Sequence, residues 1–234
     1  MNYPLATAGG SDLCFDKSII DARQESFYPM FAIKLETRKL ARMNRKVYKQ
    51  NSSLMQNELN VLRDVSERLS KAGIDYMLTG SWALGYYARP RMARDIDLVV
   101  ALEQRDAESI IALFEDKYYV PRAAVARGIA NRTLFKIIHN ELIVKVDFII
   151  RKDDEYRRTE FERRRQVEIE GMKLWIVSKE DLIISKLAWA KGSHSEFQLR
   201  DVKSLLESGY DEAYLTEWTD KLGLTDLLKE CIHD

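Results

Sequence analysis

Two aspartates open an apolar run in the stretch RPRMARDIDLVV, and that pairing restricts the fold more than any other feature of the chain. Asp95 and Asp97 lead into Leu98, Val99 and Val100, so they stand at the mouth of a strand over about 96–101. Residues two apart in a strand face the same side. The two carboxylates are therefore held side by side at the rim of a core. Left alone they repel, and one tends to keep a proton. A divalent cation removes the conflict. Hard oxygen ligands suit Mg²⁺ or Mn²⁺, which also take phosphate oxygens.

A third acid completes the set. The stretch LIVKVDFII alternates, with Leu142, Val144, Val146, Phe148 and Ile150 on one face and Ile143, Lys145, Asp147 and Ile149 on the other. Asp147 is a lone acid in an apolar strand, and a buried carboxylate is costly unless paired or metal-bound. If this strand lies beside 96–101, Asp95, Asp97 and Asp147 converge as a metal-binding and catalytic set. That arrangement suits two-metal displacement at phosphorus. Upstream, Gly80-Ser81 follows a short strand over 74–79 and opens a helix over 82–87. Gly80 permits close approach of a phosphate to the backbone. The helix start offers N–H groups and a positive dipole end, and Ser81 adds a hydroxyl.

The organisation around these residues is α/β followed by α. Residues 1–53 read as an extension of irregular or partly helical character. From residue 54 the apolar positions Leu54, Val61, Leu62, Val65 and Leu69 follow a helical period, with Gly73 as the stop. An amphipathic helix is expected over 103–117 and a hairpin joins 134–138 to 142–150 around His139-Asn140-Glu141. A second short pair turns at Gly171. After Ser178, which with Asp181 resembles a capping box, the pattern is helical to the end. The expected division is an extension (1–53), a core (54–177) and a helical domain (178–234).

Composition then removes whole classes of function. Lys plus Arg and Asp plus Glu number 37 each, so there is no global basic field for tight non-specific nucleic-acid binding. The two cysteines, Cys14 and Cys231, lie far apart and form no zinc pattern. No apolar stretch is long enough for a membrane span, and the first twenty residues lack a secretory pattern. A cytoplasmic protein without a membrane partner is expected.

Together these residues resemble the DNA polymerase beta-like nucleotidyltransferase superfamily, whose signature is Gly-Gly/Ser, a spacer, Asp-x-Asp and a later third Asp. The stretch TGSWALGYYARPRMARDIDLVV is similar to the branch of abortive-infection and toxin–antitoxin nucleotidyltransferases, through Trp82, Ala83, Leu84, Pro90, Arg91, Asp95, Ile96, Asp97 and Leu98. Ser81 stands for the second Gly, and Ala93 for the usual Thr, which removes a hydroxyl near the metal site. The resemblance covers about 54–206. It implies a polymerase-beta-like α/β core with a short mixed sheet, a C-terminal helical bundle, and transfer of a nucleoside monophosphate from a nucleoside triphosphate. Gly80, Ser81 and Arg91 would serve the nucleotide. In EDLIISKLAWAKGSHSEFQLRDVKSLL, the resemblance implies Lys186 at the triphosphate and Asp201 as its orienting group or as a base. The implied acceptors are a tRNA 3′ end, a protein or a small molecule, with a cognate antitoxin as partner.

Plainer readings stand beside these. The acids at 95 and 97 also fit a solvated strand entry, Asp147 an edge-strand acid beside Lys145, and Lys186 a snorkelling lysine. Trp82, Trp175 and Trp189 are expected in the core. The run RRTEFERRR reads as a solvated helix face or as a basic rim that guides RNA, and in the second case it disfavours a cationic antibiotic as acceptor. An antibiotic-modifying enzyme and a regulatory nucleotide-binding module remain the rivals to a toxin-type enzyme.

Overall fold

The computed structural model describes residues 38–88, 95–193 and 195–233, with side chains from residue 54 onward. Helix α1 (Arg38–Lys71) is the longest element. Leu62, Val65 and Leu69 on it are fully buried, each worth about 1.5–3 kcal/mol of apolar transfer. Leu54, expected on the same face, is exposed. The helix ends at Gly73, whose φ of +66° is one that a glycine adopts without strain.

The chain then lays down β1 (Tyr76–Leu78), α2 (Gly80–Tyr87) and β2 (Asp95–Val100). A single 3-10 turn over Gln104–Asp106 precedes α3 (Ala107–Phe114), so the helix expected over 103–117 is shorter and begins later. The cause is local: Asp106 accepts from the Glu103 N–H and closes the turn before the helix starts. Next come β3 (Tyr118–Tyr119), α4 (Arg122–Ala130), β4 (Leu134–His139) and β5 (Lys145–Ile150). β5 begins after Ile143, whose φ of +54° interrupts the strand that the alternation had suggested from 142. Helix α5 (Glu155–Glu162) leads to the hairpin of β6 (Arg165–Ile169) and β7 (Met172–Ile176).

These strands form one mixed sheet in the order β3-β4-β5-β2-β1-β7-β6. β5 is central, flanked by β4 and β2, so Asp147 is not an edge-strand acid. β2 and β5 run parallel in a register that sets Asp97 against Asp147. Four helices follow: α6 (Lys179–Ser193), α7 (Glu196–Leu206), α8 (Glu212–Lys221) and α9 (Thr225–His233). Ser178 caps α6, accepting from the Asp181 N–H and donating to its carboxylate at 2.6 Å. Leu182, Ile183, Ile184 and Leu187 of α6 belong to the same continuous apolar core as the sheet and α1. Among the described residues no helix is long and apolar enough to cross a membrane.

Candidate active site

The side chains of alternate residues along β2, β5 and β4 rise from one face of the sheet. Asp95, Asp97 and Val99 come from β2, Asp147 and Ile149 from β5, and Leu134 and Lys136 from β4. α6 closes the other side with Leu182, Ser185, Lys186 and Trp189. The cleft between them has a volume of about 510 Å³ and includes Gly80, Ser81 and Asp97.

Gly80 is placed by two constraints. Its φ is +63°, and a Cβ built on it falls inside the contact radius of the Asp97 carboxylate. The backbone at the start of α2 therefore lies directly against Asp97, which no side chain at position 80 would permit. Thr79 makes no side-chain cap at the start of α2, a helix end whose N–H groups suit an anion. The Thr79 N–H instead donates to the Asp97 carbonyl at 2.9 Å, which fixes the strand to the helix start.

Asp97 is pushed up to about 6 by burial first, and then by the charges of Asp147 and Asp95. Asp147 is 8% exposed. Its Oδ2 accepts from Lys136 Nζ, while its Oδ1 is buried with no hydrogen-bond partner. An orphaned carboxylate oxygen beside two further carboxylates is the donor set that a hard divalent cation takes. Among the described residues, no group of three His, Cys, Asp or Glu side chains is drawn together as a metal cage, and the Asp147 carboxylate is paired with Lys136.

Lys186 is buried, not snorkelling. Its Nζ donates to Asp201 Oδ2 at 2.7 Å and to Gln198 Oε1 at 3.0 Å, with both charged side chains under a tenth exposed. Lys186 and Asp97 line the same cleft, and the positive charge of Lys186 works against the upward shift of Asp97. The structure thus brings together Gly80, Ser81, Asp95, Asp97, Asp147, Lys186 and Asp201. Arg91 and Ala93 lie outside the described residues.

Several residues here escaped the sequence. Trp189, expected in the core, is 64% exposed and lines the cleft, because its position on α6 faces the sheet's open end. The run over 157–165 is divided: Arg158, Glu162 and Arg165 are exposed, as a solvated face would be, whereas Arg157, Arg163 and Arg164 turn to acids. Arg157 donates to Glu160 at 2.7 Å and to Ser185, Arg163 to Asp181, and Arg164 to Asp75. These three arginines tie α5 and the turn after it to α6 and to Asp75, just before β1. At the end of the cleft away from Asp97, Arg132, Arg151 and Lys152 supply positive charge. Lys136 was also missed, because only the register of β4 on β5 sets it opposite Asp147.

A sequence model described as aminoglycoside-2''-adenylyltransferase matches residues 61–200, more than half of the chain. Comparison with curated protein sequences finds no match. Among solved structures, the solution structure of the antibiotic-resistance factor ANT(2'')-Ia superposes with a TM-score of 0.50 at 11% identity, covering 73% of this chain and 96% of that one. An antigenic nucleotidyltransferase-like protein from Paracoccidioides brasiliensis gives 0.48 at 18% identity, covering 74% and 92%. The lincomycin-bound lincosamide antibiotic adenylyltransferase LnuA gives 0.41 at 16%, covering 65% and 96%.

Proposed function

The chain belongs to the aminoglycoside-2''-adenylyltransferase family, and on that premise we propose that it moves a nucleoside monophosphate from a nucleoside triphosphate to an acceptor hydroxyl in the cleft between the sheet and α6. It is a nucleotidyltransferase. The observation that carries the site is Gly80 pressed against Asp97, with Asp147 in register beside it.

Asp95, Asp97 and Asp147 would hold Mg²⁺ or Mn²⁺, which when bound polarises the phosphoryl oxygens and neutralises the leaving pyrophosphate. The first-turn N–H groups of α2 and the Ser81 hydroxyl bind the triphosphate from one side. Lys186, aimed by Asp201 and Gln198, meets it from the other. Asp147 receives the proton of the attacking hydroxyl, and its strand fixes the angle of approach.

Arg151 and Lys152 have no carboxylate partner among the described residues, which favours an anionic acceptor such as an RNA 3′ end. An acceptor of that kind fits a toxin held in check by a neutralising partner. Family membership favours the second reading, an antibiotic hydroxyl, and the ion pairs of 157–165 remove one objection to it. The test is purified protein with each α-labelled nucleoside triphosphate, Mg²⁺ or Mn²⁺, and in parallel total tRNA, cell lysate and a panel of aminoglycosides and lincosamides. Label in RNA or a protein band supports the first reading and label on a drug the second. Label on none of them counts against transfer.

A further inference from the structure

The Lys136 side chain contacts the carboxylate cluster at Asp147, and the transfer chemistry gives it no part. β4 and β5 pair with Lys136 directly across from Asp147. Its Nζ donates to Asp147 Oδ2, while Asp147 Oδ1 stays buried with no partner. The Lys136 side chain is 49% exposed, so charge rather than packing holds it there. Asp147, Asp95 and Asp97 all raise its hold on its proton, with the bond to Asp147 first.

A fixed ammonium on one ligand of a metal site does two things. It offsets one of three crowded negative charges while no metal is present. It also opposes a bare divalent ion that approaches the same carboxylates. An ion that arrives on a triphosphate brings enough negative charge to cancel that opposition.

We infer that Lys136 is a tethered counter-cation of the Asp95–Asp97–Asp147 cluster, which keeps the site weak for a bare divalent ion and selective for the ion carried by a nucleoside triphosphate. The inference rests on the cleft being a nucleotide site. Lys136 acts through Asp147, so it is a positioning residue that touches no substrate.

The test is Mn²⁺ binding followed by electron paramagnetic resonance, in the wild type, Lys136→Met and Lys136→Arg. Each protein is titrated alone and with a non-hydrolysable ATP analogue. Lys136→Met should bind bare Mn²⁺ about tenfold more tightly than the wild type, on the general strength of a near charge. The gap between bare and nucleotide-borne Mn²⁺ should shrink by the same factor, and Lys136→Arg should keep the wild-type gap. A lysine that merely tidies the surface would leave bare-ion affinity unchanged, and one that only orients Asp147 would make it weaker in Lys136→Met. Either result overturns the inference. Failure of every protein to bind Mn²⁺, with or without nucleotide, refutes the site itself and the role of Lys136 with it.

Discussion

Replacing Asp97 with Asn should make the metal-free protein more stable while it removes the activity. The folded protein holds the Asp97 carboxyl near 6 against an ordinary value of 3.8, because burial and two neighbouring acids oppose its charge. At about 1.4 kcal/mol per unit, ionised Asp97 costs the fold roughly 3 kcal/mol. Some of that is recovered by local relaxation, so the Asn variant should gain about 2 kcal/mol, or about 4–8 °C in Tm for a chain of this size. The sign follows from proton binding. Between 3.8 and about 6 the folded state holds more of the proton than the unfolded state does. Stability therefore falls as pH rises through that window, and the full penalty is present above it. Thermal melts in chelator at pH 7.5 and pH 4 measure this. The gain should be full at pH 7.5 and small at pH 4. With Mg²⁺ and a nucleotide analogue, the wild type should recover stability and the variant should not. A variant less stable than the wild type at pH 7.5 in chelator would refute the claim that the cluster is held at a cost.

Gly80→Ala should lose at least 2 kcal/mol in a denaturant titration and all measurable transfer, since positive φ and the Asp97 contact both reject a Cβ. Lys186→Met and Asp201→Leu should each cost about 3 kcal/mol by stranding a buried charge, while the double variant regains most of that loss and stays inactive. If the double variant turns over nucleotide normally, Lys186 is structural and does not serve the triphosphate.

The Asp-x-Asp spacing and the alternation around Asp147 made the shared face of the acids legible in the sequence, because strand periodicity alone decides which side chains of a strand share a face. Gly80 was readable as a turn, but not its contact with Asp97, which depends on how α2 returns over β2. The helical character of the chain after Ser178 was legible in its pattern, and four helices follow there. Trp189 was misplaced because an aromatic at helical spacing normally packs inward, and only the position of α6 over the cleft leaves it open. The arginines of 157–165 looked solvent-facing for a similar reason. Their partners Asp75 and Asp181 are distant in sequence, and a charge run does not reveal the acids it will meet. Lys136 became visible only through the exact register of β4 on β5, since a shift of one residue would turn it to the other face.

The central claim is that one cleft holds nucleotide and metal on Asp95, Asp97 and Asp147 and transfers from there. The most direct measurement is release of labelled pyrophosphate from γ-labelled nucleoside triphosphate in the presence of the acceptor mixture. It compares wild type with Asp97→Ala, in Mg²⁺ and in chelator. The account predicts release by the wild type in Mg²⁺ alone, and none from Asp97→Ala under either condition. Equal release by Asp97→Ala, or release undiminished by chelator, would contradict it.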